Sequence, residues 1–318
     1  MKSIQNNNLN FTIKEPCAHR EDSLYLSFPS RATIARCKQC KTLLTLPRLS
    51  KKKIVSLYQD SYYEKNSSAR FNVLGETLIK FFRFLRAYRA SKYKPSSVLD
   101  IGCDRGYFLF FLRKYFKIND VMGTQYSENA INFAITKLHL DVRKGDIENI
   151  NFGRKFDFIC LWHVLEHIDK YENYLKEINK ILEKKGKLLI EVPNSSSVIA
   201  TITKKYWFQW DIPFHRVHFS SAILEKLLIQ YDFKIIKKEF LSQEYGIISI
   251  DQSILNCITK SENYFYKSLQ KNLGIRKDFR WLFHLTLFIL LLVPSIMLNL
   301  LSAILRRGEV IRIIAEKK

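Results

Sequence analysis

The sequence predicts an α/β protein centred on a mostly parallel sheet with helices on both faces. Three observations carry that prediction. From Ser97 onward, short apolar runs alternate with helical segments, the pattern of βαβ units. Residues 156–162 are continuously apolar, as expected of a strand buried on both sides. The strand at 98–101 runs directly into Gly102-Cys103-Asp104-Arg105-Gly106, a glycine turn between a strand and a helix.

The elements follow in order. Residues 1–14 read as a polar, disordered lead without the apolar run of a signal peptide. Residues 15–48 are short apolar runs broken by Pro16, Pro29 and Pro47. Residues 52–92 read as helical, with Leu74, Leu78, Ile79, Phe81, Phe82 and Leu85 on an apolar stripe and Lys80, Arg83, Arg86 and Arg89 at polar positions. Strands are expected at 98–101, 120–124, from 142, 156–162 and 187–192. Helices are expected at 107–116, 128–138 and 171–183, the last stopped by Lys184-Lys185-Gly186. A helix at 222–231 and strands at 233–240 and 309–316 complete the pattern. The chain thus divides into an N-terminal segment (1–50), a helical lead-in (51–97), a core (98–240), a hydrophobic helical insertion (241–308) and a final core strand (309–318).

Composition bounds the function. With 318 residues, 47% of them hydrophobic, there is ample material for a core. The net charge of +22 is uneven: 19 Lys and Arg stand against 6 Asp and Glu in residues 1–97, 22 against 19 in 98–250, and 11 against 5 in 251–318. Basic flanks suit an anionic lipid surface, an anionic substrate or RNA, or simply a solvated surface, and no nucleic-acid module accompanies them. Six scattered cysteines do not make a secreted disulfide framework, which points to the cytosol.

A glycine turn alone is a weak signal, because nicotinamide enzymes use a similar one. The series that follows is specific. After the turn come Gly123-Thr124-Gln125-Tyr126-Ser127, Gly145-Asp146-Ile147, Phe156-Asp157-Phe158-Ile159, His163-Val164-Leu165-Glu166-His167 and Gly186-Lys187-Leu188-Leu189-Ile190, in that order. Taken together these resemble the class I S-adenosylmethionine-dependent methyltransferases over residues 98–194, with later strands extending the likeness toward 240. The resemblance implies a Rossmann-like sheet and S-adenosylmethionine as cofactor. It places Asp100, Gly102, Cys103 and Gly106 at the methionine half, Gln125 at the ribose, Asp146 and Ile147 at the adenine, and Trp162 and His163 at the sulfonium, with Tyr126 as a further cofactor-binding residue. Two positions depart from the family: Asp104 stands for the middle glycine, and Gln125 for an acidic residue that would accept two ribose hydrogen bonds. A nicotinamide enzyme would place an acid about 20 residues beyond the turn, and Glu128 there follows Ser127 as an early helix residue.

His163-x-x-Glu166-His167 matches a metalloprotease pattern, but it directly follows a buried strand inside the methyltransferase series, so a peptidase is rejected. His163, Glu166 and His167 could instead hold a metal beside the cofactor, or cap a helix and fill the core. Residues 207–220 lie at the sheet edge where α/β enzymes bind substrates. There His215 and His218 are candidate bases for a hydroxyl acceptor, with His163 as a third catalytic candidate and Trp207 and Trp210 as substrate walls. The alternative for these histidines is a loop they merely hold in place.

Cys37-Lys38-Gln39-Cys40 has zinc-knuckle spacing, and Cys17 and His19 are the only upstream partners. Leu43–Pro47 and Tyr62-Tyr63 resemble the context of N-terminal ribbons in some relatives, so zinc on Cys17, Cys37 and Cys40 competes with a relic knuckle that folds without metal.

From Trp281 to Leu305 there is no charged residue, yet Pro294 divides the run and basic residues flank both ends. The expectation is a bent, membrane-dipping hairpin on the inner face of the cell membrane, against the alternative of a soluble helical cap packing its apolar face on the domain. The function expected is O-methylation of a small or lipid-linked acceptor, such as a cell-envelope glycan intermediate. The alternatives are a degenerate membrane-associated scaffold and an RNA methyltransferase.

Overall fold

The computed structural model describes residues 17, 21–28, 32–49, 71–270 and 275–318. The expected lead at 1–14, His19, Tyr62-Tyr63 and the part of the predicted helix before residue 71 lie outside the described residues.

A seven-stranded sheet organises the chain. Its strands are β4 (Ser97–Ile101), β5 (Asp120–Gln125), β6 (Asp141–Lys144), β7 (Phe156–Trp162), β8 (Leu182–Pro193), β10 (Phe233–Glu239) and β11 (Val310–Lys317), in the order β10-β11-β8-β7-β4-β5-β6. The five strands from β8 to β6 pair in parallel, and β11 is antiparallel to both its neighbours. The reversal of order between β4 and β7 opens a crevice at the strand ends, where ligands of such sheets bind.

Strand periodicity sorts the core into two layers. Leu99, Ile101, Ile159, Leu161, Leu188 and Ile190 face the helices Tyr171–Ile181 and Ser221–Gln230, which are α4 and α6. Val98, Phe158, Cys160 and Leu189 face α1 (Val73–Ser91), α2 (Tyr107–Phe116) and α3 (Glu128–Leu138). Each fully buried Leu, Ile or Phe contributes roughly 1.5–3 kcal/mol. Local chemistry supports the same elements: Ser127 caps α3 by accepting from Ala130 N at 3.3 Å, and Asn72 caps α1 by accepting from Gly75 N at 2.9 Å.

Three expectations are corrected. The fourth helix ends at Ile181, and β8 begins at Leu182 and carries Lys184-Lys185-Gly186 with it, because Leu182 already pairs with Phe156 across a register shift. Helix α1 does not bury its apolar stripe: Leu74, Leu78 and Phe81 are exposed while Arg86, Ala87 and Ala90 are buried. The guanidinium groups of Arg83 and Arg86 reach Glu244 at 2.6 and 2.7 Å, and the small alanines let α1 approach the domain. The third correction is the hairpin. Residues Phe279–Ile304 form one continuous helix with Pro294 inside it. This helix is α9, after α5 (Val198–Thr203), α7 (Gly246–Thr259) and α8 (Tyr264–Ser268).

A second, four-stranded sheet joins the N-terminal segment to the core. It consists of β1 (Glu21–Ser27), β2 (Thr33–Cys37), β3 (Leu43–Leu46) and the two-residue β9 (Val217–His218). Leu43 pairs with His218 and Leu44 with Val217, so the sheet grips the expected substrate loop directly.

Candidate active site

The glycine turn sits at the end of β4, as the parallel sheet requires. Gly102 has φ 74° and lies so close to the next segment that a Cβ would stand 2.6 Å from Val164 Cγ2. Asp104 adopts φ 50°, the left-handed geometry that Asp tolerates better than most residues. The amides of Gly102 and Cys103 both donate to Thr124 O at 3.0 Å, so they lock the turn to β5. The open donors are those of the first turn of α2, whose N-cap Gly106 supplies no side-chain cap.

Asp100 lies buried under this turn, and burial raises its carboxyl to about 7 against the opposing effects of the Cys160 thiol, Arg86 and Arg83. Cys160 Sγ donates to Asp100 Oδ1 at 3.4 Å. Cys103 contributes only backbone, because its buried sulfur packs against Gly123, where a Cβ would come within 2.5 Å of it. Gln125 spends its side-chain carbonyl on the amides of Tyr126 (2.6 Å) and Ser127 (3.3 Å). It therefore offers a ribose its NH2 donor rather than an acceptor. Asp146, at the end of β6, is held by the hydroxyls of Tyr126 and Tyr174, and Ile147 beside it is buried.

At the end of β7, Trp162 is buried with its ring under Arg86 at 4.7 Å and near Arg312 at 5.7 Å. His163, at φ 56°, points Nε2 to Glu191 at 3.1 Å and Nδ1 to Glu166 at 3.3 Å, and packs on Tyr245 with ring centroids 4.1 Å apart. Burial opposes its charge, but the bonds and charges of Glu166 and Glu191 outweigh it and raise its pKa. Both ring nitrogens of His163 are thus engaged by carboxylates, which leaves neither turned toward a substrate proton in this structure.

His218 is likewise spent. It is buried, its Nε2 meets Thr45 Oγ1 at 2.8 Å, and Thr45 in turn donates to His215 O at 2.7 Å. Burial, with the His215 and Arg216 charges, holds its pKa well below the usual range. It ties β9 to β3. Trp207 and Trp210 are buried with their rings 4.8 Å apart, so they wall the loop from inside.

His215 differs. Its Nδ1–H donates to Gln209 O at 2.8 Å, which orients the ring and turns Nε2 into the cluster. Nε2 lies 3.8 Å from Asp211 Oδ2 and 4.0 Å from Glu166 Oε1. His167 donates Nδ1–H to Phe214 O at 3.0 Å and packs edge-on to His215. Ligand atoms of Glu166, His167 and His215 lie within 4.8 Å of one another, so the metal-capable set includes His215 in place of His163. Burial and the His215 charge lower His167, as a neutral ligand requires.

Sequence reasoning missed the charged layer above the site. Glu191 and Arg312 pair in register across β8 and β11, with Arg312 Nε donating at 2.7 Å, and Arg312 also meets Glu239 at 2.7 Å. The readable signal was a single charge inside each otherwise apolar strand run, which burial tolerates only as a pair.

Cys17, Cys37 and Cys40 also converge, with ligand atoms within 4.8 Å and Cys17 Sγ 3.6 Å from Cys37 Sγ. Among the described residues this group has three thiols, one short of the four ligands that a structural zinc site takes. Cys37 is itself a buried core residue beside Leu44, with Cys17 and Cys40 packed against that core, while Ile34 and Leu43 pack on Trp207 and Trp210.

Comparison with known proteins agrees with this geometry. A family model described as a methyltransferase domain matches residues 71–238. A ubiquinone biosynthesis O-methyltransferase of Pelagibacter ubique is 27% identical over 150 residues, covering 44% of this chain and 60% of that protein. The mitochondrial ubiquinone biosynthesis O-methyltransferase of Dictyostelium discoideum is 25% identical over 154 residues, covering 42% and 47%. The matches thus span about half the length of these relatives. A solved structure from Galdieria sulphuraria, assigned as a sarcosine dimethylglycine methyltransferase, superposes with a TM-score of 0.51 at 12% identity over 84% of this chain and 99% of that one, and shares the fold. The glycine turn over a buried Asp100 and the open first turn of α2 fit the cofactor of this family, and the chain belongs to the methyltransferase-domain family, within the class I, Rossmann-like S-adenosylmethionine-dependent methyltransferases.

Proposed function

We propose that the chain methylates a hydroxyl group of a small or lipid-linked acceptor, such as a cell-envelope glycan intermediate. One observation carries the reading: the Gln209 carbonyl orients the His215 ring so that its Nε2 turns toward Asp211 and Glu166 in a buried cluster that follows the strand ends. Two relatives named as O-methyltransferases support a hydroxyl acceptor. Bound S-adenosylmethionine supplies an electrophilic methyl group. Asp100 and the first turn of α2 hold the amino-acid end, and Asp146 and Ile147 face the adenine. His215 takes the hydroxyl proton as the oxygen becomes nucleophilic, and Asp211 and Glu166 stabilise the imidazolium that forms. The buried walls of Trp207 and Trp210 keep the loop in one shape, which methyl transfer needs for in-line alignment.

The Glu166–His167–His215 set favours a second reading, in which a divalent cation lowers the acceptor pKa instead. Transfer of labelled methyl to a membrane extract, followed by mass spectrometry of the product, tests both. A labelled hydroxyl with turnover that survives chelation supports the base; turnover lost with chelator and restored by magnesium or manganese supports the metal. Label found only on RNA or on nitrogen contradicts the proposal.

A further inference from the structure

Helix α9 is amphipathic in the opposite sense to an ordinary surface helix. Its buried residues are His284, Ser295, Asn299 and Ser302, at most 4% exposed, while Phe279, Leu290, Val293, Met297 and Ile304 are at least 63% exposed. The inward stripe is a polar seam against α7. Ser295 bonds to Asp251, Asn299 Nδ2 donates to Ser242 O at 3.1 Å, and Gly246 leaves room for Asn299, whose Oδ1 would stand 2.3 Å from a Cβ there. The N-terminal half is tied to α8, with Trp281 Nε1 donating to Ser268 Oγ at 3.0 Å and Phe265 packing on Phe288.

Such a face has no reason to exist in water. Nothing about a soluble cap would place small polar groups inward and leucines outward, whereas small and polar residues at helix contacts are what an apolar solvent favours. We infer that the outward face of α9 lies in the plane of an anionic lipid bilayer, as a monotopic surface helix. Its length of about 39 Å, at ~1.5 Å per residue, would suffice to cross a bilayer. Crossing is excluded by what accompanies it: α7 and α8 flank it at both halves, and its C-terminal end turns directly into β11 inside the sheet. A transverse orientation would carry Asp251, Lys260 and Lys267 into hydrocarbon. Charge identifies the lipid. Arg276 and Lys277 precede the helix, Arg280 lies in its first turn, Arg306 and Arg307 follow it, and all five are exposed, so cations sit at both ends of the apolar face.

The test uses the full chain and vesicles of phosphatidylcholine with or without phosphatidylglycerol. The wild type should float with the vesicles containing phosphatidylglycerol, high salt should release only part of it, and L290S/V293S/M297S should bind at least about tenfold more weakly. That variant should keep its circular dichroism spectrum and cofactor affinity, which separates this inference from the methyl-transfer reading. A depth-sensitive label on Val293→Cys should report a shallow position, about 5–10 Å below the headgroups. The inference is overturned by a wild type that stays unbound, by a triple variant that binds equally well, by a label at the bilayer centre, or by a soluble dimer that buries the face.

Discussion

Two buried polar clusters in this protein look alike in composition and behave differently. At the strand ends, Glu191, Arg312, His163 and Glu166 are ionisable groups paired with one another; along α9, Ser295, Asn299, Ser302 and His284 form a seam of mostly small polar groups around the buried carboxyl of Asp251. The charged cluster can hold and move protons, because each group's protonation depends on its neighbours. The α9 seam only fixes a helix, and its chemistry is legible from the other side, where the leucines face outward. On the two proposals above, burial of polar groups would mark a reaction site in one case and apolar surroundings in the other.

The sharpest way to break this contrast is to remove one charge. Arg312→Met leaves Glu191 buried beside weaker partners, and we expect a loss of about 3–5 kcal/mol in urea unfolding. The corresponding change in the seam, Ser295→Ala, should cost only about 1–2 kcal/mol by the same measurement, the scale of one lost hydrogen bond. Between these in size, His215→Ala should lower turnover about a hundredfold while cofactor affinity stays constant, and His218→Ala should act on stability rather than on the pH profile of turnover. A loss at Ser295 as large as that at Arg312 would erase the distinction.

Titration sharpens it further. The folded-state pKa of Asp100 is raised to about 7 by burial, and that of His163 is raised by Glu166 and Glu191. A raised pKa contributes stability below the unfolded value that is lost as pH rises through the folded one. Asp100 therefore predicts that the melting temperature of cofactor-free protein falls as pH rises from about 4 to about 7, and His163 adds a further fall above about pH 6.5. Glu191, held well below the usual range by Arg312 and His163 against the cost of burial, acts in the opposite direction and only in acid.

Much of the fold was readable because period and punctuation agreed. Residues 107–116, 128–138 and 156–162 form the predicted elements with the predicted bounds, and Asp104 takes the left-handed geometry its side chain permits. What was not readable depended on partners distant in sequence. The apolar spacing in α1 is real, yet Glu244, 161 residues after Arg83, decides that the arginine side turns inward. Pro294 does not break α9, since the helix is braced along its length by α7 and α8. In the site, the histidine cluster was visible but the roles were not: His163, His215 and His218 differ only in what their ring nitrogens meet, which is Glu191, the Gln209 carbonyl and Thr45.

The central claim is that the turn above Asp100 is the S-adenosylmethionine site, and calorimetric titration of the full chain tests it most directly. The account predicts saturable one-to-one binding that Asp100→Ala weakens by about 2–3 kcal/mol, the scale of a charge-assisted hydrogen bond. It also predicts affinity that rises with pH up to about 7, because the cationic ligand requires the carboxylate and binding releases its proton. Absence of binding heat with S-adenosylmethionine, together with tight binding of NAD or an Asp100→Ala variant of unchanged affinity, would contradict it.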